Sequence, residues 1–287
     1  MHYDPSRAAA FFDEYGEREW TRFEDGRSSS ISLAVHEHYL RAFVRPGDRV
    51  IDVGAGPGRF TIVLADIGAR IVVADVSPEQ LRLNRETVAR AGVAAAVERW
   101  IEADIVDLAP FSNGEFDAVV CYGGPLSYVL DRADDAVREL LRVLRPGGHL
   151  LVSVMSLIGP LAFGFRGIND EMQAYGDGFV AAVVASGNLP RELSDGHLEM
   201  HLYRPAELRA MLERHGSEVV ALSSSGFLFG RYHEETVATL TPSQRALVVR
   251  WAIELGAEPG GEGVGEHIIA VARKPPAASD SVDCRRP

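Results

Sequence analysis

The run Val50-Ile51-Asp52-Val53-Gly54-Ala55-Gly56-Pro57-Gly58-Arg59-Phe60 sets three glycines at alternate positions, directly after an acid and an apolar stretch. Glycine there lets the backbone turn sharply and approach a ligand without a Cβ in the way. The spacing is G-x-G-x-G, whereas a dinucleotide fingerprint is G-x-G-x-x-G with a pyrophosphate on the helix end, so the turn suits a ligand lacking a diphosphate. Asp75, followed by Val76, closes the next apolar run, where a carboxylate can accept two hydrogen bonds from the vicinal hydroxyls of a ribose. Asp104 and Ile105 follow a third run; the acid can accept from an adenine amine while the isoleucine packs on the ring. Tyr122 opens a further glycine turn, Tyr122-Gly123-Gly124-Pro125, that leaves room for a reacting group to meet its acceptor. The candidate cofactor-binding set is therefore Asp52, Gly54, Ala55, Gly56, Gly58, Asp75, Val76, Asp104, Ile105 and Tyr122.

A second group carries acid-base chemistry. His197-Leu198-Glu199-Met200-His201-Leu202-Tyr203 alternates strictly, so an extended segment puts His197, Glu199, His201 and Tyr203 on one face. Turned to a crevice, that face supplies a base and hydrogen bonds for a substrate; turned outward, it is a solvated face. Its His-x-Glu-x-His spacing is compatible with a metal, but no metal site is expected. His197, Glu199 and His201, with Tyr15, are the catalytic candidates. His36-Glu37-His38 reads as a helix surface. Arg166, Arg191 and Arg204 could hold an acidic acceptor or simply be solvated.

These residues need elements to position them. From Arg49 onward, short β-branched runs alternate with amphipathic helices, the pattern of a parallel sheet wrapped by helices. Strands are expected at 49–53, 70–75, 97–103, 116–122, 149–155, 218–223 and 267–273, with helices starting near Gly58, Ser77 and Asp131. Ser77-Pro78-Glu79-Gln80 is a helix start with Ser77 as cap, Pro78 in the first turn and Gln80 placed for a capping box. Two helices are expected before the sheet, near 6–24 (interrupted at Gly16) and 30–44. Residues 1–44 then form an N-terminal helical lid and 45–274 the main domain. Within it, about 156–203 is a cap insertion with a helix near 169–186, and about 233–255 is a second helical insertion. Residues 275–287, Pro- and Ala-rich at their start, are expected to be a disordered tail.

DVGAGPG at 52 to 58, Asp75 in VVADVS, Asp104 in EADIVDL, FDAVVCYG at 116 to 123 and LRPGGHLLVSV at 144 to 154 together resemble the class I S-adenosylmethionine-dependent methyltransferases, strongly over about 45–155 and more weakly over 200–273. The resemblance implies a doubly wound α/β fold with a seven-stranded, mostly parallel sheet in the order 3-2-1-4-5-7-6, the last strand antiparallel. The insertion between the last two strands departs from the family's short hairpin. It also implies S-adenosylmethionine as cofactor, with the glycine turn around its methionine and ribose portion, Asp75 on the ribose and Asp104 with Ile105 on adenine. In similar enzymes an N-terminal segment folds over the cofactor, a role open to Tyr15 and Trp20. The sulfonium methyl is already activated, so alignment can supply most of the rate and a base is needed only for an acceptor that holds its proton.

Composition bounds the partners. The chain has 287 residues, 46% of them hydrophobic, and a formal charge of −12, which repels phosphate backbones and argues against nucleic acid. Cys121 and Cys284 are too few for a disulfide framework or a thiolate cluster. The N-terminus lacks the basic flank and apolar core of a signal peptide, and no apolar run reaches membrane-spanning length, so a soluble cytoplasmic protein is expected, as monomer or homodimer. The expected function is methyl transfer to an oxygen, nitrogen or carbon of a small molecule. Two alternatives are methylation of a tRNA wobble-uridine carboxylate, which the segment from the cap to RPAELRAMLERHG resembles, and a non-catalytic cofactor-binding module.

Overall fold

The alternation of apolar runs and amphipathic helices from Arg49 builds one twisted sheet with helices on both faces, seen in a computed structural model that describes residues 1–21, 30–163, 165–191, 198–227 and 234–277. Ahead of the sheet lie α1 (Pro5–Tyr15), α2 (Arg18–Thr21) and α3 (Ser30–Phe43). The sheet then begins with β1 (Arg49–Val53), α4 (Arg59–Ile67), β2 (Arg70–Asp75), α5 (Pro78–Arg90), β3 (Val97–Glu102) and β4 (Phe116–Cys121). It continues through α6 (Pro125–Tyr128), α7 (Ala133–Val143) and β5 (Leu144–Met155). The excursion contributes α8 (Ile158–Phe163), α9 (Phe165–Tyr175), α10 (Asp177–Ser186), β6 (Asn188–Leu189) and β7 (Met200–His201). The chain closes with α11 (Pro205–Arg214), β8 (Glu218–Ser224), α12 (Glu234–Ala238), α13 (Pro242–Gly256) and β9 (His267–Arg273).

The large sheet has the order β3-β2-β1-β4-β5-β9-β8. Pairs β1–β2, β1–β4, β2–β3 and β4–β5 are parallel, and β9 runs antiparallel between β5 and β8. Numbered within the sheet this is 3-2-1-4-5-7-6, as the resemblance implies. Strands such as Val50-Ile51 and Ile71-Val72-Val73-Ala74 are fully buried on both faces, as expected where helices cover both sides of a parallel sheet. One core lies under α7 and α11, the other under α3, α4, α5 and α13.

Local differences have physical reasons. The first helix ends at Tyr15 because Gly16 takes φ 53°, so α1 and α2 are two pieces. Ser77 caps α5 by accepting the Gln80 amide at 3.1 Å, yet the Gln80 side chain turns away and donates to the carbonyls of Phe12 and Gly16 at 2.9 and 3.2 Å. The exposed carbonyls at the end of α1 take its donor in place of the expected capping box. Three helices occupy 158–186 where one was expected over 169–186. Their segment ends in the β6–β7 ribbon, pairing Asn188 with His201 and Leu189 with Met200. Leu157, Leu198, Met200 and Leu202 pack with Ala8, Phe11, Phe12 and Tyr128, so α1 and this segment cover the same end of the sheet. The insertion before β9 forms α13, which lies on α3 and β8 and leaves the β8–β9 pairing intact.

Candidate functional site

At the carboxyl end of β1 the chain turns through Gly54 at φ 65° and Gly56 at φ 52°. Both angles are in the left-handed region, costly for residues with a Cβ. A Cβ on Gly54 would stand 2.4 Å from Cγ of Pro125, so the turns after β1 and β4 touch only because that atom is missing. A Cβ on Gly56 would stand in ordinary van der Waals contact with Cγ of Glu19 at 3.7 Å and Oε1 of Gln80 at 3.9 Å, at the edge of an open space. The Gly54 amide donates to the Ala74 carbonyl at 2.8 Å, which ties the turn to β2.

That open space is a pocket of roughly 970 Å³ counting its open mouth. Gly54, Ala55, Gly56, Asp75, Val76, Asp104, Ile105 and Tyr122 of the expected set line it. Asp52 and Gly58 do not. Asp52 lies behind the turn, 1% exposed, with its Oδ2 accepting Oγ1 of Thr61 at 2.7 Å. Gly58, at φ 96°, precedes α4, and a Cβ there would press on the Asn84 amide at 3.0 Å. These two shape the floor from beneath, a correction to their expected place in the lining. Asp75, 6% exposed, accepts the Gly56 amide on Oδ2 and the Ser77 amide on Oδ1, each at 2.9 Å. Burial outweighs these bonds and pushes its pKa up to about 6, and burial pushes Asp52 up to about 7.

The roof comes from the N-terminus, where the sequence pattern pointed only to Tyr15 and Trp20. Tyr3, Ala8, Phe12 and Glu19 line the pocket; Tyr15 is not among its lining residues and instead stacks on Phe11 and carries the Arg18 guanidinium 4.7 Å above its ring. The roof is pinned: Asp13 accepts Oγ of Ser77 at 2.5 Å and the Glu79 amide at 3.1 Å, and Arg7 pairs with Glu199 at 2.7 Å. Arg59, from the wall, donates to the Trp20 carbonyl at 2.8 Å and lies over the Trp20 ring at 4.1 Å. No short motif announces Tyr3, Phe12 or Gln80, because their relation to the pocket is made by contacts more than sixty residues apart in the chain.

The alternating segment does not turn its polar face into this pocket. His197 lies outside the described residues. Glu199 is held by Arg7, and His201 sits between Oδ1 of Asn188 at 2.9 Å and Oε1 of Glu207 at 2.7 Å. Tyr203 is buried and donates to the Leu126 carbonyl at 3.4 Å. The apolar members Leu198, Met200 and Leu202 supply the packing instead. Arg204 donates to the Val184 carbonyl at 2.6 Å. No group of His, Cys, Asp and Glu suited to a metal occurs among the described residues.

His36 corrects the expectation of a helix surface: it is 2% exposed, with its ring 4.9 Å from Tyr122, 5.3 Å from Phe60 and 5.6 Å from His267. Tyr122 and Phe60 line the pocket, so the two histidines stand directly behind its wall. Nδ1 of His36 lies 2.8 Å from the Ser32 carbonyl. A carbonyl only accepts, so Nδ1 carries the proton of that bond.

Chemically, the pocket joins carboxylates of Asp75, Glu19 and Asp104 to the rings of Phe12, Phe60 and Tyr128, and its one lining arginine, Arg59, already serves Trp20. The buried Oε1 of Gln80, 3.9 Å from where a Gly56 Cβ would be, is an acceptor without a donor. Such a lining suits a ligand with cationic charge, hydroxyls and a planar ring, and opposes a diphosphate.

Comparison with known proteins agrees with this geometry. Residues 51–152 match the family model described as a methyltransferase domain. The ubiquinone/menaquinone biosynthesis C-methyltransferase UbiE of Ectopseudomonas mendocina is 38% identical over 119 residues, covering 40% of this chain and 45% of that protein. The chain thus spans less than half the length of that curated relative. The structure of 1,6-didemethyltoxoflavin-N1-methyltransferase from Burkholderia thailandensis, with 1,6-didemethyltoxoflavin and S-adenosylhomocysteine bound, has a TM-score of 0.57 at 16% identity, over 96% of this chain and 92% of that one. The [4+2]-cyclase SpnF has a TM-score of 0.54 at 21% identity, over 85% and 81% of the two chains. These structures share the fold, and the names of the last two show that the fold alone does not set the reaction.

Proposed function

We propose that this chain, which carries a class I S-adenosylmethionine-dependent methyltransferase domain, moves a methyl group from that cofactor to a small-molecule acceptor. The observation that carries the reading is the Gly56–Asp75 unit: a glycine turn whose amide holds an acid at the tip of β2, in a pocket that carboxylates line and where, among the described residues, no cluster of basic side chains faces a diphosphate. When bound, S-adenosylmethionine supplies a methyl group already activated by its sulfonium. Asp75 accepts from the ribose hydroxyls, and Asp104 with Ile105 receives the adenine. Glu19, Gln80 Oε1 and the turn at Gly54–Gly56 hold the methionine end, where the carboxylates favour its cationic groups. Asp52 acts from beneath, stiffening the turn through Thr61.

The acceptor enters from the side of Phe60 and Tyr122, whose rings fit a planar molecule. Roofing by α1 excludes water from the transfer. Glu199 and His201 are committed to ion pairs, and His36 backs the Phe60 and Tyr122 rings from behind the wall, so alignment of the acceptor with the cofactor carries the transfer. The curated relatives are named for quinone biosynthesis, in keeping with a small acceptor. No helix among the described residues is long and apolar enough to cross a membrane.

Incubation with methyl-labelled S-adenosylmethionine and metabolite extract tests this. Label appearing in a small molecule is expected. Binding of a nicotinamide or flavin dinucleotide in place of S-adenosylmethionine, measured by calorimetry, would overturn the reading.

A further inference from the structure

Tyr3 stands just ahead of α1, two residues before Pro5. Tyr3 lines the pocket, and its hydroxyl donates to Oδ1 of Asp104 at 2.9 Å. The same oxygen accepts the Val106 amide at 3.0 Å. Among the described residues no donor reaches the other oxygen, Oδ2. Two donors on one oxygen fix the plane of a carboxylate, which otherwise swings about its Cβ–Cγ bond.

The segment is anchored on its far side as well. The Tyr3 amide donates to Oδ1 of Asp131 at 2.9 Å, and the His2 ring pairs with Oδ2 of the same residue. Asp4 then caps α1 by accepting the Ser6 amide at 2.9 Å. Tyr3 is therefore held by its own backbone, not only by its hydroxyl. Burial and the facing Asp104 raise the pKa of its phenol, so it remains a donor across the working range.

We propose that Tyr3 is a positioning residue for the base of the cofactor: by occupying Oδ1 it leaves Oδ2 of Asp104 as the acceptor for the exocyclic amine of adenine, and it closes that end of the pocket. The assignment rests on the methyltransferase reading above. It makes adenine selection depend on a residue far from the glycine turn. A base with a carbonyl in place of the amine brings an acceptor against Oδ2, leaves both without a proton and is rejected.

Calorimetry on the full chain with S-adenosylhomocysteine and its deaminated analogue S-inosylhomocysteine tests this, using wild type, Tyr3→Phe and Asp104→Asn. Wild type is expected to prefer the adenosyl compound. Tyr3→Phe, which keeps the ring, should weaken the adenosyl compound about tenfold and the inosyl compound less than about twofold, so that discrimination shrinks. Asp104→Asn, whose amide can donate to the carbonyl, should lose the preference while keeping the wild-type thermal midpoint within a few degrees. Unchanged adenosyl affinity in Tyr3→Phe overturns the proposal, as does an equal loss for both compounds, which marks packing alone. Failure of wild type to bind either compound removes the methyltransferase reading itself, a result distinguishable from both.

Discussion

The Gly56 amide and Oδ2 of Asp75 are joined across 2.9 Å, so the turn after β1 and the tip of β2 form one unit although nineteen residues separate them. Asp75 keeps this bond only as long as Gly56 holds φ 52°. Ligand recognition and loop geometry are thus one property.

Asp75→Ala should weaken S-adenosylmethionine binding by about 1–3 kcal/mol, the range for losing hydrogen bonds to a charged group. Calorimetry at pH 8 measures this directly. An affinity equal to wild type would refute the ribose-binding role.

Acid should release the cofactor. Burial pushes the pKa of Asp75 up to about 6, and accepting two hydroxyl donors requires the ionised form. Affinity should fall as pH drops below about 6, approaching about tenfold per unit, and this dependence should vanish in Asp75→Asn. The linkage to folding has the opposite sign. The folded protein holds this proton more tightly than the unfolded chain, so the Asp75 contribution to ligand-free stability declines as pH rises from about 4 to about 6 and is level above. Thermal midpoints across that range, without ligand, check the slope.

Removing the buried charge of Asp52 should stabilise the ligand-free protein. Burial holds its pKa up at about 7, and an Asn carbonyl can still accept from Thr61. Asp52→Asn should therefore raise the thermal midpoint most at pH 8, by less at pH 5, and leave it nearly unchanged only below about pH 4. A lower midpoint at pH 8 would show that the carboxylate has a partner worth more than its desolvation.

Two glycines of the same turn should respond differently to alanine. At Gly54 a Cβ collides with Pro125 in addition to the backbone strain, so Gly54→Ala should cost about 2–4 kcal/mol of stability. At Gly56 there is room, and Gly56→Ala should cost only the strain, about 1–2 kcal/mol, while its methyl group obstructs the ligand. Denaturant unfolding and ligand binding on both variants separate the two.

The strand pattern was legible at the sheet's centre because those runs are buried and bounded by turn residues, so β1 and β2 could be read almost to the residue. The same holds for Gly54, Gly56, Asp75 and Asp104, which lie within three residues of a strand end and owe their positions to local turns. His36 escaped the reading because α3 is covered on more than one side, by α4 and by α13, and an insertion that covers a helix leaves no mark in that helix's own periodicity. For Glu199 and His201 the spacing was less informative, because alternation fixes which residues share a face but not which way the face turns.

By itself, then, the chain of residues determined the seven strands, the glycine turn and the acids at the strand tips, all consequences of short-range geometry and burial. Only the tertiary structure decided what roofs the pocket and what stands behind its wall. Tyr3 meets Asp104 across 101 residues and His36 meets His267 from the far end of the chain, and such encounters are set by packing free energy summed over the whole molecule, which no local spacing records.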